Sequence, residues 1–160
     1  MASTPKVKAF LLCDQVIIGQ DSKHSVIGVF QSIHAPSFPV FHPRFGIYVR
    51  LGEMHGNYDL AIQFVDPDGE RTLGEAQLKG IKHDRPLDDF ESGVNLPGIE
   101  IPNAGIFEVR LVANGDLINV DTLRAVQVSM PKSSADGEVA DDDEGEADKG
   151  PGSLPEDPFA

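Results

Sequence analysis

Alternating apolar and polar residues on both sides of Asn114-Gly115 are the clearest structural signal in this chain of 160 residues. Asn and Gly both tolerate the positive φ angles that a two-residue type I′ turn requires, so the pattern predicts a β-hairpin over residues 105–128. The pairs expected when counting outward from the turn are Ala113 with Asp116, Leu111 with Ile118, and Val109 with Val120. Because an isolated hairpin is unstable in water, a second sheet must cover its apolar face. That face is predicted to contain Phe107, Val109, Leu111, Ile118, Val120 and Val126.

The rest of the chain contains shorter segments of the same kind. Residues 9–13 show little alternation, which predicts a strand buried on both faces. Residues 44–51 and 58–64 alternate cleanly, and we predict that they pair as a second hairpin. Their predicted inward side chains are Phe45, Ile47, Val49, Leu51, Tyr58, Leu60, Ile62 and Phe64. Strands are predicted over 7–18, 25–33, 44–51, 58–64, 72–81 and 94–101, with a short helical turn at 86–91.

These patterns predict an all-β fold. Roughly seven or eight short strands, separated by turn signals about every 8–12 residues, are typical of a two-sheet antiparallel sandwich of immunoglobulin-like type. We predict one domain over residues 6–129, preceded by a frayed segment 1–5 and followed by a disordered acidic tail, 130–160.

Charge separates the tail from the domain. Residues 129–160 contain ten acidic residues and two lysines, so they carry −8 of the formal net charge of −13 and leave −5 for the rest. Residues 133–150 have almost no large apolar side chain, and such a segment cannot bury enough surface to offset the entropy of ordering. Neither part has the clustered Lys and Arg that phosphate contacts need, so we expect no direct binding of nucleic acid.

The single cysteine, Cys13, allows no internal disulfide, and nothing indicates an oxidising compartment. The apolar run after Lys6 and Lys8 is too short for a signal peptide, and no stretch approaches the length of a membrane span. We therefore expect a cytoplasmic protein that is not in the membrane.

Several short segments together resemble a known family. They are Leu11-Leu-Cys-Asp, Val26-Ile-Gly-Val-Phe, Phe38-Pro, Tyr48-Val-Arg-Leu, Gly56-Asn-Tyr and Gly105-Ile-Phe-Glu-Val-Arg-Leu. Over residues 7–128 the chain resembles an uncharacterised family of short bacterial proteins, a domain of unknown function. The resemblance implies a β-sandwich and a bacterial cytoplasmic setting, and it brings no catalytic or binding residues.

The segment 34–44 is the first candidate for a binding site. Phe38 and Phe41 stand among three prolines there, which would hold them as a stiff apolar knob at little entropic cost. Such a knob would anchor a protein partner, unidentified by the sequence, or a second copy in a homodimer. The alternative is a plug that closes one end of the sandwich core.

The end of the tail is the second candidate. Leu154, Pro158 and Phe159 are apolar residues at the end of an acidic segment. This arrangement resembles the partner-recruiting tips of bacterial single-stranded-DNA-binding proteins, which end in Pro-Phe, whereas Ala160 follows the phenylalanine here. The alternative is a tail that only keeps the protein soluble.

The side chains that could act in catalysis or bind a metal ion show no catalytic pattern. The histidines lack the spacing of a metal site and are interpreted as exposed loop residues, although His34 and His42 flank the segment 34–44. Asp66 and Asp68 are interpreted as parts of a turn, and Cys13 as a buried strand residue. We predict a non-catalytic protein-binding or scaffold module without cofactor or metal. The alternative is a small-ligand- or metal-binding domain, enzymatic or not, that uses the loop His and Asp residues.

Overall fold

A computed structural model describes residues 1–131, and every regular element in this part is a β-strand. No helix of the length and apolarity required for a membrane span occurs in it. The strands are β1 (Lys6–Ile18), β2 (His24–Val29), β3 (Ser32–Ala35), β4 (Val40–His42), β5 (Phe45–Gly52), β6 (Gly56–Asp66), β7 (Arg71–His83), β8 (Phe90–Leu96), β9 (Ile99–Ile101), β10 (Gly105–Ala113) and β11 (Asp116–Gln127).

The strands form two main sheets and one small ribbon. The first sheet has the order β2-β1-β5-β8, the second has the order β3-β11-β10-β6-β7, and β4 pairs with β9 alone. The all-β sandwich is thus confirmed, but the predicted number of strands is too low and the sandwich is not wholly antiparallel, since β3 runs parallel to β11. One predicted strand, 25–33, is divided into β2 and β3 because the chain passes from the first sheet to the second there.

The core lies between the two main sheets, and both contribute alternate side chains to it. All eight inward side chains predicted on β5 and β6 are buried. Residues 9–13, however, are not buried on both faces, because Leu11 is exposed. Other buried core residues are Leu12, Ile33, Met54, Ile99, Ile101, Phe107, Val109, Leu111 and Leu123.

The predicted hairpin of β5 and β6 is wrong. β5 pairs with β1 and β8 in the first sheet, whereas β6 pairs with β10 and β7 in the second. The connection between them crosses the sandwich and carries the fully buried Met54. Alternation identifies the apolar face of each strand, and two strands that face one core from opposite sheets show the same alternation as two paired strands.

The hairpin of β10 and β11 has the predicted turn but not the predicted register. Asn114 and Gly115 have φ angles of 50° and 87°, and Ala113 pairs with Asp116. An irregularity between Leu111 and Val112 then shifts the ladder by one residue, which moves the following side chains to the opposite face. The observed pairs are Leu111 with Asn119 and Val109 with Asp121. As a result, Val120 and Val126 are exposed, while Leu123 and Ala125 are buried.

The far half of β1 folds back with β2 over the outer face of β5 and β8. The side-chain amide of Asn95 accepts a hydrogen bond from the Val16 N–H (2.9 Å) and donates one to the Val16 carbonyl (2.8 Å). A Cβ on Gly93 would lie 2.3 Å from Val16 Cγ1, so this contact needs a residue without a side chain. Because the outward side of the folded-back hairpin faces solvent, Ile27 and Val29 are exposed.

The structure confirms the turn predicted at Asp66 and Asp68 but shows less regular structure than predicted at residues 86–91. The Asp66 carboxylate accepts the Asp68 N–H at 3.2 Å, as expected of a turn that begins with Asp. The helical segment predicted at 86–91 is only one hydrogen-bonded turn, in which Asp88 N–H donates to the Arg85 carbonyl at 2.9 Å.

Candidate partner-binding ribbon and adjoining groove

The two phenylalanines of the segment 34–44 occupy different environments. Phe38 is partly buried and packs against the core, which is the position expected of a plug. Phe41 is 61% exposed, which is the position expected of a partner anchor. Strand alternation explains the difference, because Val40 and His42 of β4 point inwards and the side chain between them must point outwards.

The Phe41 ring rests on Gly98, the residue that precedes the partner strand β9. A Cβ on Gly98 would lie 2.4 Å from Phe41 Cζ, so the ring covers the backbone of this glycine. Gly98 also has a φ of 137°, a conformation that other residues rarely adopt. Glu100 pairs directly with Phe41 and therefore shares the outward face of the β4–β9 ribbon with it.

A groove lies on the other side of β4, where the chain passes from β2 to β3. It has a volume of about 340 Å³ and is lined by residues from four strands, β1 to β4, and from the crossing itself. Phe30 packs edge-on against His42, with ring centroids 5.3 Å apart. The groove is lined by Asp14, Gly28, Val29, Phe30, Ser32, Ile33, His34 and His42.

Two polar atoms in this groove lack a partner within the described residues. His42 Nε2 is shielded from solvent and makes no hydrogen bond. The closest acidic atom, Asp14 Oδ1, is 3.9 Å away, which is too far for a direct hydrogen bond. Asp14 lies over the backbone of Gly28, where a Cβ would be 2.3 Å from its Oδ2.

Four of the five histidines differ from the loop placement that we predicted. His24, His34, His42 and His83 lie on strands and only His55 lies in a loop. The fold brings His34 and His42 to the same groove, together with Asp14, which the sequence analysis did not connect with them. Over residues 1–131, however, no group of three His, Cys, Asp or Glu side chains is arranged to hold a metal ion.

A network of charged side chains covers the outer face of the first sheet. The Asp89 carboxylate accepts hydrogen bonds from Lys8 Nζ (2.6 Å) and Arg50 Nε (2.8 Å), and the hydrogen bond from Lys8 is the main reason that the pKa of Asp89 is lowered. His24 Nδ1 lies 3.2 Å from Glu91. Desolvation, followed by the charge of Glu91, raises the pKa of the Tyr48 hydroxyl beside them. Sequence reasoning missed this network because its members are separated by tens of residues.

Cys13 is buried, as predicted from the sequence. Burial raises the pKa of its thiol, which disfavours the nucleophilic thiolate. The other predicted partner-binding residues, Leu154, Pro158 and Phe159, lie outside the described residues, as does most of the tail.

Comparison with known proteins adds a family but no function. Residues 8–126 match the model of a family described as a family of unknown function (DUF6941). This span includes nearly all of the strands from β1 to β11. The resemblance to an uncharacterised family is thereby confirmed. A search of curated proteins finds no match.

Proposed function

We propose that this chain, which belongs to the family of unknown function DUF6941, is a non-catalytic protein-binding or scaffold module. The contact surface is the outward face of the β4–β9 ribbon, with Phe41 as its anchor. The observation that carries this proposal is that Phe41 is 61% exposed while its ring rests on Gly98.

The position of Phe41 suits a binding anchor for two physical reasons. Large aromatic side chains contribute disproportionately to binding free energy when a partner covers them. The ribbon also limits the cost of binding, because Pro39 and Pro43 restrict the backbone on both sides of β4, and a restricted segment loses less entropy when a partner binds.

A comparison of the proteins that matched variants retain tests the ribbon face as a contact surface. The full-length chain is immobilised as wild type, Phe41→Asp and Leu117→Asp, and proteins retained from a lysate of the source organism are compared by quantitative mass spectrometry. Leu117 is the control because it is 54% exposed on β11, in the second main sheet and not on the ribbon. We expect a set of proteins retained by the wild type and Leu117→Asp and lost with Phe41→Asp. Equal retention by all three chains would show that the ribbon face is not the contact surface.

The ribbon face could also bind a second copy of the same chain, which would give a homodimer. Sedimentation equilibrium of the wild type and Phe41→Asp distinguishes the two forms. A dimer that dissociates with Phe41→Asp assigns the ribbon face to self-association. A monomer in both cases leaves the ribbon face to a different protein.

The tail provides a second proposed contact. Leu154, Pro158 and Phe159 follow a strongly acidic segment, a combination that suits a basic groove on a partner. Comparing proteins retained by the full chain and by residues 1–131 tests this contact. Partners retained equally by both chains would leave the tail with a solubilising role.

We also propose that the sandwich is of immunoglobulin-like type. β6, β10 and β11 are neighbours in that order, which is the order of strands C, F and G in immunoglobulin domains. β5 precedes β6 in the chain but lies in the opposite sheet beside β8, as strand B lies beside E. β1 lies on the other side of β5, as strand A lies beside B, and β2 is an additional strand at the edge of this sheet.

The proposed setting is the bacterial cytoplasm. The only cysteine is buried on β1 and no internal disulfide exists, which suits a reducing compartment. Fractionation of cells that express an epitope-tagged chain tests this, and recovery outside the cytoplasmic fraction would contradict it.

A further inference from the structure

We propose that the groove beside β4 binds the guanidinium group of an arginine side chain carried by another protein. Asp14 supplies the charge, His42 a second acceptor, and Phe30 an aromatic wall. This site lies on the opposite side of β4 from Phe41, so it does not depend on the proposed contact of the ribbon face.

The spacing of two acceptors suits a branched donor. Asp14 Oδ1 and His42 Nε2 are 3.9 Å apart and neither makes a hydrogen bond within residues 1–131. An acceptor that is buried without a partner destabilises the folded protein, because it has lost its hydrogen bonds to water. A guanidinium presents five N–H donors in a rigid plane and can donate to both atoms at once when the histidine proton is on Nδ1.

The accessible part of this pair is the carboxylate. The Asp14 side chain is 48% exposed, whereas His42 Nε2 is shielded from solvent. An incoming ligand therefore contacts Asp14 first and reaches the histidine after a small shift of the Asp14 side chain. The carboxylate lies over Gly28 in the space that a side chain at this position would occupy.

The charge of the groove selects a cation. Asp14 is its only acidic residue, and no lysine or arginine lines it. Arg44 lines a separate depression on the other side of Asp14, but no ion pair joins the two residues in the described part of the chain. The net charge of −13 adds a long-range attraction for basic partners.

The aromatic walls favour a guanidinium over an ammonium group. Phe30 and His42 both line the groove, and a guanidinium is planar, is weakly hydrated and stacks on aromatic faces. An ammonium is compact and strongly hydrated, so it loses more solvation in such a site. The volume of about 340 Å³ is at the lower end of the range for ligand pockets, which fits one side chain rather than a large cofactor.

An NMR titration tests the site directly. The ¹⁵N-labelled full-length chain is titrated with N-acetyl-arginine amide, and in parallel with N-acetyl-lysine amide. We expect saturable shifts of the Asp14, Gly28 and His42 amide signals with the arginine compound, and affinity at least about threefold lower for the lysine compound. In Asp14→Asn, the affinity for the arginine compound should fall by about tenfold, the loss expected for one charge-assisted hydrogen bond.

Two variants make the outcome decisive. Asp21→Asn removes a carboxylate from the turn between β1 and β2, at the other end of this hairpin from Asp14, and should leave the titration unchanged. Asp14→Asn keeps the shape of the side chain, and a dispersed amide spectrum shows that it is folded. No saturable shift, equal affinity in Asp14→Asn, or equal affinity for the lysine compound would each overturn the proposal. None of these results bears on the contact of Phe41.

Discussion

At the scale of single residues, Gly93 determines whether the far half of β1 can lie over β8. A methyl group there would be 2.3 Å from Val16 Cγ1 and 2.8 Å from its Cβ, and Val16 is itself buried. We expect Gly93→Ala to lower the free energy of unfolding by about 1–3 kcal/mol, the usual cost of overpacking. Urea denaturation followed by circular dichroism measures this difference.

Two further variants separate this clash from a general effect of glycine replacement. Gly74 also lies within a strand, but a Cβ there would meet no atom within 4 Å, so Gly74→Ala should change stability by less than about 0.5 kcal/mol. Adding Val16→Ala to Gly93→Ala should restore part of the loss, since the two sites are in contact. Equal effects of both glycine variants, without rescue, would contradict this explanation.

The pH dependence of stability should depend on Asp89. Its pKa is lowered by the hydrogen bond from Lys8 and, to a smaller degree, by Arg50. A carboxyl group with a lowered pKa in the folded state stabilises the fold fully above its pKa in the unfolded chain, about 3.9. This contribution is lost as the pH falls below that value and through the folded pKa. We expect the urea midpoint of the wild type to exceed that of Asp89→Asn at pH 7, and the difference to decrease below about pH 4.

Asp116 provides the comparison for this experiment. It is exposed at the first position of β11, and no ion pair involves it among the described residues. Asp116→Asn should therefore follow the wild type at every pH. A constant difference between the wild type and Asp89→Asn from pH 7 to pH 3 would show that the carboxylate does not act through its charge.

At the scale of the strands, β4 places the two phenylalanines of the segment 34–44 in different environments, so their replacement should affect stability differently. Phe38 packs against the core, so Phe38→Ala should lower the free energy of unfolding by about 1–3 kcal/mol, less than a fully buried phenylalanine costs. Phe41 is mostly exposed, so Phe41→Ala should lower it by less than about 1 kcal/mol. Thermal and urea denaturation of the two variants check this order. The reverse order would mean that Phe41 is the plug.

How far the strands could be predicted depends on what alternation encodes. It correctly identified the buried residues of β5 and β6, from Phe45 to Phe64, because side chains on one face of a strand recur at every second position. It could not show that β5 and β6 pair with other strands, since partner choice depends on contacts between segments that are distant in sequence. The register shift in β11 could not be predicted either, because no particular residue type marks the bulge. Its one extra residue places Leu123 in the core and leaves Val120 exposed.

At the scale of the whole molecule, the groove arises from the route of the chain between sheets. Asp14 comes from β1, Phe30 from the crossing of β2 to β3, and His42 from β4. The sequence pointed to His34 and His42 because they flank one short segment. It gave no reason to join Asp14 to them, since that contact exists only once β1 pairs with β2 and the crossing is formed.

The positions of the core residues and of the charged residues along the chain predict the stability and solubility of the domain without its acidic end. The core residues of the described part lie between Phe10 and Ala125. Residues 132–160 contribute ten acids and two lysines, so ending the chain after Pro131 changes the formal net charge from −13 to −5. We expect the shortened chain to keep the urea midpoint of the full chain, because no described core contact is removed.

The solubility of the shortened chain should decrease, because a lower net charge weakens the repulsion between molecules. Precipitation by ammonium sulfate, compared between the full chain and residues 1–131 at pH 7, measures this effect. A shortened chain with a lower urea midpoint would mean that residues 132–160 stabilise the sandwich. Equal midpoints with equal solubility would argue against a solubilising tail and leave partner recruitment by Leu154, Pro158 and Phe159 as its proposed role.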